Sequence, residues 1–313
     1  MRPIRVGIIG VGKIARDHHI PSIRGNPSFQ FTAASSRNTE TQGVRNFRSV
    51  GAMLAGLPEL DAVALCTPPQ LHYEDALLAL TSGKHVLLEK PPCTTLMQLK
   101  HLQSIATRHS VTLYQAWHSQ HARGVAPAAQ LLQQRKLKSI QVTWKEDVRL
   151  WHPGQIWIWE AGGFGVFDIG INAISIITRL IEEPIFARSA ILQVPANRET
   201  PIAATVLLGS ASGVDIRLEL DFRHTGVQTW DIDVEFSGGM LQLTAGGSRV
   251  TGDSAPVPAD EDTLASEYRS LYRRFADLVA HRRAEVDARP LQLVADIFLI
   301  ARRIVVDPFV EVA

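Results

Sequence analysis

A glycine-rich segment near the start of the chain is the first pattern able to do chemistry. Residues 10–15 read GVGKIA, which fits G-x-G-x-x-G/A, and they follow a short apolar run. In this pattern the first glycine permits a tight turn and the second lets the backbone approach a pyrophosphate. Because a helix N-terminus then offers N–H groups to phosphates, we predict dinucleotide binding at Gly10, Gly12, Lys13 and Ile14 rather than a bare structural turn.

The residues after the second apolar run bear on which dinucleotide binds. That run, residues 29–34, is expected to end near the adenosine ribose, where NAD-selective sites usually carry Asp or Glu. Here Ser36 and Arg37 follow, and no acidic residue occurs before Glu40. A guanidinium beside hydroxyl groups suits a 2′-phosphate. We therefore expect NADP as the preferred cofactor, with NAD possible, unless Arg37 is simply a solvated loop residue.

Three further residues, in two segments of the chain, carry groups that can exchange protons or hold a substrate. Lys90 follows the apolar run 86–88, and the carboxyl ends of parallel strands are where doubly wound sheets bind ligands. Asp168 and Asn172 are four residues apart, so on a helix they share one face. The glycines within 161–165 would let a ligand approach the start of that helix. Asp168 could equally serve as a favourable charge at the helix N-terminus, and the two roles are compatible.

These candidate residues fall in two parts of the chain that differ in their pattern of strands and helices. Up to residue 117, short apolar runs alternate with helical patterns, which is typical of a doubly wound parallel sheet. Beyond it, strand-like runs follow one another with few helices. We predict an α/β protein with a Rossmann domain at 1–117 and an α+β domain at 118–313 containing a large, mostly antiparallel open sheet. Apolar residues at steps of three and four predict a C-terminal helix at 290–306.

The composition excludes several classes of protein. The 32 Lys and Arg balance 31 Asp and Glu in 313 residues, so no whole-protein basic field would gather nucleic acid. No stretch approaches the roughly 18 apolar residues of a membrane span, and the first apolar run is too short for a signal peptide. Two cysteines and scattered histidines predict no metal site. We expect a cytoplasmic protein that binds neither nucleic acid nor membranes.

Three motifs in order resemble the Gfo/Idh/MocA family of oxidoreductases. They are the glycine-rich segment, TPPQLH at 67–72 and EKP at 89–91. The resemblance implies that Thr67, Pro68, His72, Glu89 and Lys90 also contribute to cofactor binding. For His72 the alternative is a position near the start of a helix, where it only satisfies backbone groups. The resemblance also implies a cis bond between Lys90 and its proline, and an active-site role for that lysine.

Four shorter segments resemble the bacterial NAD(P)-dependent L-arabinose/D-galactose 1-dehydrogenases of this family. They are WHS at 117–119, WKED at 144–147, WHPGQ at 151–155 and FDIGIN at 167–172. This likeness implies oxidation of the C1 hydroxyl of an aldose to an aldonolactone. On the same likeness, Trp151 and Trp230 would cover the apolar face of the sugar, because an indole combines an apolar ring with an N–H donor. His118, His152 and Glu146 are candidates for hydrogen bonds to its hydroxyls.

One departure from the family pattern affects the expected mechanism. Much of the family has Asp-x-x-x-His on the helix that follows the glycines of 161–165, with the histidine as acid/base. This chain has Asn172 at the histidine position. An amide cannot exchange a proton near neutral pH. We therefore expect Asp168 and Lys90 to act as a coupled catalytic pair, and the sequence leaves open which of them takes the proton.

Two other functions remain as alternatives. One is an NAD-dependent glycoside hydrolase of the same superfamily, which Ser36 and Arg37 disfavour because they suit an exchangeable NADP. The other is a non-catalytic nucleotide- or sugar-binding protein, which the combination of Lys90, Asp168 and the tryptophans disfavours.

Strand alternation also predicts the oligomeric state. In 214–222 and 228–236, one face carries apolar side chains and the other carries carboxylates with Arg217 as the only cation. Burying unpaired carboxylates costs several kcal/mol per ion. The family habit is to pair through this open face, but we predict a monomer, with a homodimer possible if cations elsewhere on the sheet, such as Lys145, pair with these acids.

Overall fold

The chain divides into two units in the computed structural model, which describes residues 2–253 and 263–311. One unit consists of Met1–His118 and Leu264–Ala288, and the other of Ser119–Thr263 and Arg289–Ala313. Each unit is built around one β-sheet.

Strands and helices alternate along the first part of the chain, as the sequence predicts. The elements are β1 (Ile4–Ile9), α1 (Ile20–Arg24), β2 (Phe29–Ser35), β3 (Arg45–Phe47), α2 (Val50–Gly56), β4 (Ala62–Leu65), α3 (Pro69–Thr81), β5 (His85–Leu88), α4 (Leu96–His109) and β6 (Leu113–Gln115). A π-helical turn at Ala15–His19 leads directly into α1.

The first sheet has six parallel strands in the order β3-β2-β1-β4-β5-β6. The order reverses between β1 and β4, which is the arrangement that places ligands at the carboxyl ends of the strands. Every residue of β4 is buried, as expected for a strand covered on both faces. The Rossmann fold predicted for this part is confirmed.

The remaining elements form mainly a second sheet with its covering helices. They are α5 (Val125–Leu132), β7 (Leu137–Lys145), α6 (Val148–Trp151), α7 (Phe167–Leu180), β8 (Ile185–Pro195), β9 (Ala203–Ser210), β10 (Asp215–Asp221), β11 (Thr229–Phe236), β12 (Gly239–Thr244), β13 (Arg249–Gly252), α8 (Thr263–Ala280), α9 (Arg289–Ile300) and β14 (Arg302–Val306).

The second sheet has eight strands in the order β13-β12-β11-β7-β10-β9-β8-β14. Five of the seven pairings are antiparallel, and only β7–β10 and β8–β14 are parallel. Alternate residues of β10 point to opposite faces, so that Ile216 and Leu218 are fully buried while Asp215 and Arg217 are exposed. The mostly antiparallel sheet predicted for this part is confirmed.

The structure differs from the sequence-based boundaries in one long helix. The predicted second domain includes residues 264–288, whereas the structure groups Leu264–Ala288 with the first unit. The reason is the apolar face of α8, which is buried against β1 and its neighbours. That face contributes Leu271, Tyr272, Phe275 and Leu278 to the first unit's core.

The predicted C-terminal helix is too long. Helix α9 ends at Ile300, and Arg302–Val306 forms the edge strand β14, which pairs in parallel with β8. The apolar spacing continues past Ile300, but the backbone groups there gain ladder hydrogen bonds on the sheet instead. Among the described residues, no helix has the length and hydropathy required to cross a bilayer.

Candidate functional site

The carboxyl ends of the parallel strands bring the glycine-rich loop and the TPP motif together. Gly10 has φ +87°, and its N–H donates to the carbonyl of Ser35 at 2.9 Å. A Cβ at Gly10 would lie 2.8 Å from backbone atoms of Cys66 and Thr67. A side chain here would therefore collide with the loop after β4, so this position requires glycine for both conformation and space.

The second glycine of the loop has open space beside it. A Cβ at Gly12 would meet nothing within 4 Å among the described atoms. The following helical turns begin with the Arg16 N–H donating to the Gly12 carbonyl at 3.1 Å, and Ile14 provides no side-chain cap. Lys13 is exposed and forms an ion pair with Asp17. Open space in front of an uncapped helix N-terminus fits the pyrophosphate of a dinucleotide.

The loop after β2 carries Ser36 and Arg37, the residues expected near the ribose. Ser36 accepts a hydrogen bond from the N–H of Thr39 at 3.2 Å, which forms a tight turn. Arg37 is exposed, and its backbone carbonyl accepts from the Arg48 guanidinium. The loop thus carries a hydroxyl and a guanidinium, and a second guanidinium contacts it that also lies 3.8 Å from Glu40.

Lys90 follows β5 at the same edge, and its main chain is fixed by the preceding residue. The Lys90 N–H donates to Glu89 Oε2 at 2.9 Å, and the Lys90–Pro91 bond is cis. The prediction for Glu89 was contact with the cofactor, but its carboxylate is only 3 % exposed and points into the core of the unit. Glu89 acts on this edge through the backbone of Lys90.

Glu89 lies at the centre of a buried hydrogen-bond network. Its Oε1 accepts from Tyr268 Oη at 2.7 Å and from His19 Nε2 at 3.0 Å, while His19 Nδ1 is 2.8 Å from Tyr272 Oη. Burial alone would raise the pKa of Glu89, but the hydrogen bond and charge of His19, the charge of His118 and the Tyr268 hydroxyl together lower it to about 2. Glu89 is therefore a stable buried carboxylate.

His118 belongs to this network and not to the second unit. The predicted domain boundary placed it with the sugar-binding residues, but its ring is 7 % exposed and its Nδ1 lies 2.7 Å from Glu267 Oε2. The ring also stacks on Tyr268 with 5.3 Å between centroids. Burial raises the pKa of Glu267, and His118 opposes that shift. Because this pairing uses Nδ1, a sugar contact by His118 would have to involve another atom of the ring.

The TPP motif positions the start of α3. His72 is fully buried, and its Nδ1 lies 3.0 Å from the Pro91 carbonyl and 3.2 Å from that of Pro92. Burial lowers the pKa of His72, so the neutral ring donates to these carbonyls. Its Nδ1 therefore links the start of α3 to the Lys90–Pro91 turn, which is the backbone role considered for His72 from the sequence. Thr67 and Pro68 lie at the strand ends, as predicted.

In the second unit, a short helix and a glycine-rich loop bring the other candidates together. Asp147 caps α6 by accepting from the Arg149 N–H at 3.0 Å, and the N–H of His152 donates to Val148 at the end of that helix. Gly165 has φ +53°, and a Cβ there would lie 2.2 Å from the Pro201 carbonyl. The close approach at Gly165 fixes the first turn of α7, where Asp168 lies.

Glu146 is the most buried of these side chains, at 1 % exposed. Its Oε2 accepts from Trp230 Nε1 and from Gln228 Nε2, each at 3.1 Å. Its Oε1 lies 2.9 Å from His152 Nε2, although the ring N–H is not aligned on that oxygen. One carboxylate thus connects an indole of β11, an amide and an imidazole.

His152 lies between two carboxylates. Its Nδ1 is 3.9 Å from Asp168 Oδ2, so the order of groups is Glu146, His152, Asp168. The imidazole is 17 % exposed, whereas the two carboxylates are 1 % and 3 % exposed. Of these three side chains, the imidazole of His152 is the most exposed.

Asn172 is one helical turn beyond Asp168, as the sequence predicts. It is 8 % exposed, and its Oδ1 has no hydrogen-bond partner among the described residues. Helix α7 lies close to the sheet at Gly170, where an added Cβ would be only 2.5 Å from the Leu220 side chain. A buried amide oxygen without a partner is costly, and a donor on a bound ligand would satisfy it.

The aromatic side chains of this unit form a wall beside Glu146. Trp230 stacks on Trp144 with 5.4 Å between centroids, and Trp151 lies 6.1 Å from Trp230 at a tilted angle. Trp151 is 47 % exposed. The two tryptophans selected from the sequence are therefore neighbours, and the structure adds Trp144 behind them.

Several residues of these clusters were not predicted. Gln228 contacts Glu146, and His19 and Tyr268 contact Glu89. Tyr272 in turn contacts His19, and Glu267 contacts His118. No local sequence signal points to them, since Tyr268 is 179 positions from Glu89. Within 2–253 and 263–311, no group of three or more His, Cys, Asp or Glu is placed to hold a metal ion.

Comparisons with known proteins show the family of the chain. Residues 4–116 match the GFO_IDH_MocA family, described as an oxidoreductase family with an NAD-binding Rossmann fold. The galactose 1-dehydrogenase of Pseudomonas fluorescens is 42 % identical over 99 % of this chain and 100 % of its own length.

Solved structures extend the likeness to the whole fold. The crystal structure of a D-galactose-1-dehydrogenase protein from Rhizobium etli has a TM-score of 0.93 and 45 % identity, covering 99 % of this chain and 98 % of that one. A 3-ketoreductase from Actinomadura kijaniata, solved with NADP and TDP-benzene, has a TM-score of 0.85 at 23 % identity, covering 97 % and 99 %. At that identity the second likeness concerns the fold alone.

Proposed function

This chain belongs to the Gfo/Idh/MocA family of oxidoreductases, and on that premise we propose that it is an aldose 1-dehydrogenase. Its substrates would be L-arabinose and D-galactose in pyranose form, oxidised at C1 to the aldonolactone with NADP. The observation that carries the proposal is the cluster of Glu146, His152, Asp168, Asn172 and Trp230 in a chain 42 % identical to a galactose 1-dehydrogenase.

The cofactor is proposed from the residues of the first unit. Bound NADP would supply the acceptor for the hydride that leaves C1. The open space at Gly12 suits its pyrophosphate, and Ser36 and Arg37 suit its 2′-phosphate. Arg48, held at the Arg37 carbonyl, adds a second positive charge to that loop.

The chemistry requires a group that takes the proton of the C1 hydroxyl. We assign this step to Asp168 and Lys90, one accepting the proton and the other holding the C1 oxygen. A positioned acid or base typically contributes about 10²–10⁴-fold to the rate. Trp230 and Trp151 would cover the apolar face of the sugar, and the Asn172 Oδ1 would accept from one of its hydroxyls.

Sugar selectivity would follow from the polar groups of this cluster. L-Arabinose and D-galactose share the configuration of their ring hydroxyls and differ by one exocyclic CH₂OH, which discriminates by only about 1–3 kcal/mol. D-Glucose differs from D-galactose at C4, and a misplaced hydroxyl would leave a buried polar group unsatisfied. Catalytic efficiency with D-glucose is therefore expected to be the lowest of the three.

One assay tests the function against its alternatives. Reduced nicotinamide is followed by its near-ultraviolet absorbance with free NADP and a panel of aldoses, and an aryl glycoside is offered separately. NADPH formation with L-arabinose and D-galactose is expected, and it is expected to fall by 10²-fold or more in Asp168→Ala and Lys90→Met at saturating sugar. Cleavage of the glycoside without net NADPH would identify the hydrolase. If neither NADPH formation nor glycoside cleavage is observed, the non-catalytic binding protein is the remaining alternative.

Cofactor preference is tested separately at Arg37. A hydrogen bond to a charged group contributes about 1.5–3 kcal/mol, or roughly 10- to 150-fold in binding. Arg37→Ala is expected to weaken NADP binding by that factor and to leave NAD binding nearly unchanged, as measured by fluorescence titration. Equal losses for both cofactors would show that Arg37 serves the fold.

A further inference from the structure

The missing histidine of the family pattern leaves a chemical gap at position 172. Asn172 cannot take up a proton, and Asp168 is only 2 % exposed, so a proton gained by Asp168 has no direct route to water. A titratable side chain from a different part of the sequence, His152, lies close to it. His152 Nδ1 lies 3.9 Å from Asp168 Oδ2, and its ring is 17 % exposed.

We propose that His152 replaces the absent helix histidine as the proton relay of Asp168, and that Glu146 positions it. This inference rests on the proposed function. The O–H bond of the C1 hydroxyl breaks as its proton passes to Asp168 Oδ2, and the same proton then passes to His152 Nδ1 and on to solvent. The relay makes Asp168, rather than Lys90, the first proton acceptor.

The contacts of His152 determine which ring nitrogen can accept. Its Nε2 lies 2.9 Å from Glu146 Oε1. This contact is shorter than the 3.9 Å between Nδ1 and Asp168 Oδ2, so we expect the proton of the neutral ring on Nε2, which leaves Nδ1 able to accept. The hydrogen bonds from Trp230 and Gln228 to Glu146 Oε2 hold the carboxylate in this orientation.

Two carboxylates and one aromatic ring surround the imidazole. Glu146 follows β7 and Asp168 starts α7, and both face the imidazole, while Phe222 at the end of β10 packs against its ring at 5.7 Å. An imidazolium formed here would have a carboxylate on each side. The gap of 3.9 Å exceeds a hydrogen bond, but such contacts in ligand-free enzymes commonly shorten when substrate binds.

The first test is a measurement on the free protein that does not depend on turnover. ¹⁵N–¹H correlation spectra of the histidine rings, assigned with His152→Gln, report which nitrogen of the neutral His152 ring is protonated. The expected result is a proton on Nε2. A proton on Nδ1 would overturn the relay, because that atom could not then accept from Asp168.

The second test is kinetic. His152→Ala is expected to lower kcat by about 10²-fold, to lose the acidic limb of the kcat–pH profile, and to regain part of kcat with added imidazole. Glu146→Gln is expected to lower kcat less and to change the same limb, with NADP affinity unchanged in both variants. His109→Gln, at the exposed end of α4, serves as the control with wild-type kinetics.

The outcomes separate the two proposals. If the wild type oxidises no aldose, the proposed function fails and the relay fails with it. If the wild type is active but His152→Ala keeps its kcat and pH profile, the relay alone is wrong. If His152→Ala does not fold, Glu146→Gln decides: an unchanged pH profile in that variant contradicts the positioning role.

Discussion

Each unit of the molecule contains a buried glutamate beside a histidine, and the two pairs differ in what surrounds them. Glu89 and His19 in the first unit are 4 % and 0 % exposed, and hydroxyl and backbone N–H groups occupy the rest of their polar atoms. Glu146 and His152 in the second unit have the same chemical types, but His152 is 17 % exposed and faces another carboxylate at 3.9 Å.

The difference shows how one chemical pair serves two purposes. A pair whose hydrogen bonds are all satisfied gains nothing by changing its protonation state, so it acts as a fixed support. For Glu89, that support is the backbone N–H of Lys90. A pair with an unsatisfied side and access to water can take up and release a proton. The saturation and exposure of a glutamate–histidine pair, rather than its residue types, thus indicate its role.

The largest expected effect that tests this comparison is a change in the free energy of unfolding. Removing one charge from a buried pair costs about 3–5 kcal/mol, because the other polar groups lose their partner. Glu89→Gln is therefore expected to lower the free energy of unfolding by that amount, measured by urea denaturation. Glu146→Gln is the comparison variant: it is expected to lose activity but less stability, because its partner His152 is 17 % exposed and can be hydrated when the charge is removed. Equal stability losses in the two variants would contradict the comparison.

Acid denaturation gives a second, pH-dependent test. The pKa of Glu89 is lowered from its ordinary value of 4.5 to about 2 by the His19 and Tyr268 hydrogen bonds and nearby histidine charge, against the opposing effect of burial. A carboxylate with a lowered pKa stabilises the folded state fully above its ordinary pKa, and that contribution is lost as pH falls towards the folded value.

The expected result follows from that sign. The stability difference between wild type and Glu89→Gln is expected to be greatest near neutral pH and to shrink as pH falls from 4.5 towards about 2. Urea denaturation at a series of pH values measures it. A difference that stays constant over this range would show that Glu89 acts through packing and not through its charge.

The sequence predicted the parts of the fold that depend on local pattern. Strand and helix alternation predicted the parallel sheet, and the period-two pattern of β10 and β11 predicted which faces are buried. The glycine-rich loop was placed correctly because each glycine has a local reason, a positive φ at Gly10 and open space at Gly12. Asp168 and Asn172 share a helix face because helical spacing alone requires it.

The buried partners of Glu89 and His118 could not be predicted from the sequence, for a physical reason. The position of each partner is set by tertiary packing, and Glu267 and Tyr268 come from a helix after β13. The motif around Glu89 shows that the residue matters, but it does not show whether its side chain faces a ligand or the core. Long-range contacts of this kind leave no periodic signal in the sequence.

The smallest expected effects concern charge pairs on the exposed face of the second sheet, which extend the comparison to pairs open to water. Lys145 Nζ lies 3.1 Å from Glu219, with side chains 31 % and 36 % exposed. Solvent-exposed pairs contribute about 0.2–1 kcal/mol. Lys145→Gln is therefore expected to change the free energy of unfolding by less than about 1 kcal/mol, by urea denaturation. A loss as large as that of Glu89→Gln would remove the link between exposure and energy.

The same face decides the prediction of a monomer. The condition under which a dimer becomes possible is met in part, since Lys145 pairs with Glu219, Lys138 with Glu235 and Arg188 with Asp215. Asp231 on the neighbouring strand is different, because partial burial and then repulsion from Asp233 raise its pKa. A second copy docked on this face would bury Asp231 further and increase that cost. Light scattering at micromolar protein and moderate salt is expected to give one chain mass, and about twice that mass would refute the prediction.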